Sequence, residues 1–137
     1  MKMAQEEEQL LLNDLYARLP YGVNVKIYNF FRDDFQEDTL TIDNASKRIY
    51  TFGIPSIKPY LRPMSSMTEE EYNSMSWEGC NRVINYSSKH GFQFVEITSF
   101  TIEILNWLNK NMFDYRGLIP MGLALEAKEG MYEKNNE

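Results

Sequence analysis

The chain has 137 residues, 43% of them hydrophobic and 14% aromatic, and carries a formal charge of −6. That length predicts one domain, and that apolar content supplies a real core and sets overall disorder aside. Its Lys and Arg residues are scattered, with Lys47-Arg48 the only adjacent pair, so nucleic-acid binding is disfavoured because little counterion release is available to drive it.

Gln5–Leu19 opens the chain as a predicted helix, since Leu11, Leu12, Leu15 and Leu19 recur at three- and four-residue steps. Glu6 to Glu8 suit the positive end of its dipole, and Pro20 and Gly22 stop it. Val23–Ile27 alternates apolar and polar, the mark of a half-buried strand. Phe30–Asp38, with Asp33, Asp34, Glu37 and Asp38, is expected as a loop. Thr39–Ile42 follows as a second strand with Leu40 and Ile42 on one face, and Asp43–Ser46 has turn chemistry. Arg48–Phe52 is expected as a third strand, which would make Val23–Phe52 an antiparallel meander.

Pro55, Pro59 and Pro63 predict a semi-rigid connector, because each proline biases its predecessor toward extended geometry. A polyproline ligand is the alternative use of such spacing. Thr68-Glu69-Glu70-Glu71 fits a capping box opening a short helix to about Met75, with Gly79 interrupting. Cys80, Val83 and Ile84 suggest another helical piece, closed by Gly91 after Lys89-His90. Phe92–Ile97 has the composition of an edge strand. The last strong helix is expected to start at Thr98 or Ser99, with Ile104, Leu105, Leu108 and Met112 as its core stripe and Phe100 extending that face. The Asp114–Gly117 turn ends it, and Leu118–Met121 begins a second apolar element.

These elements predict a single α+β domain spanning residues 1–137, with frayed tails at about 1–9 and 128–137. A small antiparallel sheet of about three to four strands would be packed by the N-terminal helix and C-terminal helices. The expected core is Leu12, Leu15, Val25, Ile27, Leu40, Ile42, Ile104, Leu105 and Leu108.

Chemistry is sparse. One cysteine, Cys80, excludes an internal disulfide or a Cys-rich zinc site and is expected as a small buried apolar residue. No apolar run approaches the roughly 20 residues of a membrane span, and the acidic opening MKMAQEEEQLLL is unlike a signal peptide, so the expected setting is reduced and cytoplasmic. The single histidine, His90, sits where a basic residue simply favours a helix end. The carboxylates of 33–38 lack the ligand spacing and central glycine of a calcium loop. No phosphate loop, dinucleotide pattern or nucleophile elbow is present, so no cofactor, metal or catalytic residue is assigned. Asp114, Tyr115 and Arg116 are the binding candidates, because Tyr and Arg are enriched at interface hot spots. The structural alternative is that Asp114 pairs with Arg116 or bonds backbone groups while Gly117 supplies a left-handed turn. Met64, Met67 and Met75 could line an adaptable groove or simply fill the core.

Three segments carry a resemblance: IKPYLRPMSSMTEEE at 57–71, WLNKNMFDYRGLI at 107–119 and GLALEAKEGMY at 122–132. Together they resemble small uncharacterised proteins encoded in phages, prophages and conjugative elements of Bacteroides-type gut bacteria. The resemblance implies a mobile-element accessory protein working in a bacterial cytoplasm, and implies no activity. The chain departs from that pattern in lacking a histidine near Asn109–Asn111 and a proline near Lys128.

The leading functional expectation is a non-enzymatic protein-interaction module with a protein partner, either from the host or a second copy, and with no membrane. One alternative is an acidic inhibitor of a host defence nuclease or nucleic-acid-binding protein, which requires the carboxylates to share a face. The other is a small enzyme using carboxylates, which requires a pocket with convergent polar groups.

Overall fold

The computed structural model describes residues 3–87, 91–97 and 99–132. Helix α1 (Gln5–Arg18) is followed by a proline-started turn, Leu19–Tyr21, and by strand β1 (Val23–Asn29). β1 buries Val23, Val25, Ile27 and Asn29 on one face, as its alternation predicts. Strand β2 (Asp34–Leu40) pairs with it antiparallel, Val23 opposite Leu40 and Asn29 opposite Asp34. Most of the expected acidic loop is therefore strand. Thr39–Ile42 supplies only the end of that strand, so alternation stops at Leu40 and Ile42 is left 68% exposed instead of in the core.

The expected third strand is helix α2 (Ala45–Phe52). Asn44 turns the chain into it, its side chain accepting from Thr41 N and donating to Thr39 O. Ala45, Ile49 and Phe52 recur at helical spacing and pack on the core around α1 and the sheet, so a period of 3.6 wins over the β-branched composition. The proline segment is not only a connector. After a short turn at Ile54–Ser56, strand β3 (Ile57–Leu61) pairs antiparallel with β1 in the middle of the sheet. Pro59 is tolerated there because the next strand, β6 (Leu125–Glu126), pairs only with Tyr60 and Leu61 and asks nothing of the N–H that proline lacks.

The sheet has order β2-β1-β3-β6, antiparallel except for the parallel β3–β6 pair, so the α+β architecture holds with a mixed sheet. A second core lies beside the first. Helix α3 (Glu69–Asn73) starts with the predicted capping box, Thr68 accepting from Glu71 N while Glu71 accepts from Thr68 N. Strands β4 (Arg82–Ser87) and β5 (Gly91–Ile97) form an antiparallel hairpin, so Cys80–Ile84 is not helical. Cys80 is buried as expected, its thiol donating to Ser99 O at 3.0 Å. The proposed helix end at Lys89-His90 lies outside the described residues.

Helix α4 (Ile102–Lys110) is capped by Thr101, whose hydroxyl accepts from Ile104 N at 3.2 Å. Thr98 lies outside the described residues, and Ser99 instead accepts from Asn81 N. Ile104, Leu108 and Met112 are buried, whereas Leu105 is half-buried and Phe100 is exposed. Met67, Tyr72, Trp77, Ile104, Leu108 and Phe113 fill this second core, so Met67 takes the core role. Leu118–Met121 is a series of turns rather than a further helix, returning Leu118, Leu123 and Ala124 to the first core. No helix among the described residues is long and apolar enough to cross a membrane.

Parts of the two stretches expected to fray are held in the fold. Gln5–Gln9 belongs to α1, and the segment after β6 is held against the sheet. The β1–β3 register, continued by one residue beyond Val25 and Pro59, would set Asn24 opposite Tyr60. The Tyr132 hydroxyl occupies that rung instead, accepting from Asn24 N at 2.9 Å and donating to Tyr60 O at 2.8 Å. Burial pushes the Tyr132 phenol up to about 12.

Candidate functional site

The three candidate residues of the 114–117 turn are brought together, and their polar groups point mostly inward. Asp114 is buried and its carboxylate accepts from Leu118 N at 2.8 Å and Ile119 N at 2.9 Å, satisfying the turn that follows. Arg116 does not pair with it. Arg116 reaches Asp14 of α1 at 2.6 Å, a carboxylate that also accepts from Arg18 at 2.9 and 3.0 Å. Asp14 and Arg18 are wholly buried, and Arg18 donates onward to Phe113 O at 2.7 Å. Tyr115 packs its ring against both guanidinium groups and donates its hydroxyl to Asn109 at 2.9 Å. Burial raises its phenol above the ordinary value, against the pull of the two arginines. This turn is thus a rivet between α1, α4 and the return to β6, and the backbone-bonding alternative describes Asp114.

Exposed aromatic rings gather at the β1–β2 turn, where the sequence pointed only to an acidic loop. Phe30, Phe31 and Phe35 are 50%, 71% and 62% exposed. The Phe30 and Phe31 rings lie tilted against each other with centroids 4.4 Å apart, and both meet Phe52 of α2 edge-on at 6.3 and 6.5 Å. Phe35 leans on Tyr28 at 5.4 Å, with the Lys26 ammonium 4.8 Å from its ring.

The turn is pinned from within. Asn29 accepts from Phe31 N at 3.0 Å and donates to Gln36 at 2.9 Å, and Tyr28 donates to Asp33. That bond raises the Tyr28 phenol above its ordinary value. Asp33 adopts a left-handed backbone (φ 52°), a conformation that short Asx side chains tolerate. Pinned aromatics lose little conformational entropy on binding, so they make effective anchors. A run of Phe-Phe between alternating segments was the available sequence signal.

Four of the carboxylates that an acidic face would need are paired in place. Asp34 meets Arg32 at 3.0 Å, Asp38 meets Arg48 at 2.6 Å, Glu37 meets Lys128 at 2.8 Å and Glu71 meets Arg62 at 2.7 Å. Lys128 and the Tyr60 hydroxyl hold Glu37 below the ordinary carboxylate range. Among the described residues, no group of three or more His, Cys, Asp or Glu could hold a metal ion. Comparison with protein-family models, curated proteins and solved structures finds no match to this chain.

Proposed function

We propose that the chain is a non-enzymatic protein-interaction module, an accessory of a phage or other mobile element acting in the cytoplasm of a Bacteroides-type host. One observation carries the interaction reading: a turn pinned by Asn29 and Asp33 keeps Phe30 and Phe31 in solvent beside Phe52, with Phe35 exposed at the start of β2 against Tyr28. The Phe30 and Phe31 rings at the hairpin end, with Phe35 exposed nearby in sequence, offer apolar area that a partner would remove from water. The mobile-element setting rests on the sequence resemblance of 57–71, 107–119 and 122–132. The acidic-inhibitor alternative loses the carboxylates of β2, because Asp34, Glu37 and Asp38 each already face a cation.

The test is tagged capture from nuclease-treated lysate of such a host, run with the wild-type chain and with Phe31→Ser/Phe35→Ser. The reading expects one stoichiometric protein that the double variant loses while remaining folded by circular dichroism. A wild-type lane holding only the bait, or a captured protein retained in full by the variant, would overturn it.

A further inference from the structure

Between α3 and the C-terminal segment lies an open trough of about 960 Å³, remote in sequence from the aromatic turn. Its walls are fixed. On one side Arg62 holds Glu71 through two hydrogen bonds of 2.7 and 2.8 Å, while its guanidinium lies over the Phe113 ring at 4.2 Å. On the other, Ala127 N donates to Leu61 O at 2.7 Å and Tyr132 occupies its rung of the ladder. Trp107 lines the trough half-buried, stacked on Phe113 and edge-on to Trp77.

The charges along this trough do not balance. The two cations that line it are already engaged, Arg62 with Glu71 and Lys128 with Glu37. Glu70, Glu126 and Glu129 also line it, all three exposed, and none has a side-chain hydrogen bond or ion pair among the described residues. We propose that the trough seats an extended basic segment of a partner protein, its Lys or Arg side chains meeting Glu70, Glu126 and Glu129 and its aliphatic stems lying against Trp107. Long basic side chains suit this lining, since their stems cover apolar surface while their heads stay near water and carboxylates. The trough uses none of the aromatic-turn residues, so the two surfaces stand or fall separately.

The probe is a fluorescein-labelled peptide of alternating lysine and alanine, seven residues long, titrated with the full chain at physiological ionic strength and read by anisotropy. Three proteins are compared: wild type, Glu70→Gln/Glu126→Gln/Glu129→Gln, and a control of equal charge change, Asp43→Asn/Glu78→Gln/Glu103→Gln, whose carboxylates are exposed elsewhere. The trough variant is expected to weaken binding about tenfold, the sum of three exposed charge contacts, and the control less than about twofold. In the wild-type chain the Trp107 indole N–H resonance shifts on titration, while that of Trp77, buried and donating to Tyr72 O, stays in place. Equal losses in the two variants would reduce the effect to net charge and overturn the proposal. No anisotropy change with wild type, or a Trp107 resonance that does not move, would overturn it too.

Discussion

Two turns of this chain are written in similar letters and put to opposite uses. The β1–β2 turn contains Phe30-Phe31-Arg32-Asp33, and the turn after α4 contains Asp114-Tyr115-Arg116-Gly117. In the second, Arg116 finds Asp14 across 102 positions of sequence, and Tyr115 lies against Arg18 and Arg116. In the first, the aspartate and arginine bond within the turn, to Tyr28 and Asp34, and the two rings stay in water. Aromatic, basic and acidic residues in one turn therefore do not say whether a site faces inward or outward. What decides is whether a distant buried charge is waiting for the arginine, and only the fold supplies that.

The comparison is broken most severely at Asp14. Asp14→Ala leaves Arg18 buried without its carboxylate and should cost about 3–5 kcal/mol, read by urea denaturation. A loss below about 1 kcal/mol would mean the rivet is not structural. Tyr132→Phe removes the hydroxyl that serves Asn24 N–H and Tyr60 C=O, for an expected loss of about 1–3 kcal/mol at neutral pH.

The same residue predicts an alkaline limit. Its folded phenol is raised to about 12, so the protonated form is favoured by folding. That contribution is complete below the ordinary phenol value near 10 and is lost as pH rises toward 12, a span worth about 3 kcal/mol. Tyr132→Phe should flatten this part of the stability curve, and an unchanged slope would refute the assignment.

On the acid side the effect is smaller. Burial pushes the Glu71 carboxyl up, but hydrogen bonds from Arg62 and the Thr68 backbone outweigh it and hold the group below 4.5. Its contribution is present above about pH 4.5 and lost as pH falls through the depressed folded value. Glu71→Gln should remove about 0.5–1 kcal/mol of acid sensitivity, reduced by screening because the pair is partly exposed. Smallest of all is Phe31→Ser, which should change stability by no more than about 0.5 kcal/mol, as expected of an exposed turn residue. A larger loss would make Phe31 a packing residue and move the aromatic turn into the same class as the 114–117 turn.

The features legible in the sequence were those set by local periodicity and local caps. The α1 leucines, the alternation of β1 and the Thr68–Glu71 box each depend on neighbours within a turn or two. The features that were not legible depend on pairing across the chain. Glu37 and Asp38 look like loop residues until Lys128 and Arg48 are placed beside them. Pro59 looks like a strand breaker until the pairing with β6 is found to begin at Tyr60. Arg48–Phe52 has strand composition, yet the 45, 49, 52 spacing laid its apolar face on the first core as a helix. Asp114, Tyr115 and Arg116 read as binding candidates in the sequence, and Asp14, the residue that takes up Arg116, carries no local signal.

The most direct test of the outward turn replaces Phe31 with a photo-crosslinking phenylalanine analogue, in live host cells, and does the same in a second strain at Ile102, which is 78% exposed on α4. The account predicts a discrete crosslinked band from position 31, carrying one other protein, and none of comparable strength from position 102. Equal, diffuse labelling at both positions, or no band from position 31, would contradict the claim that the pinned aromatic turn is where this chain meets its partner.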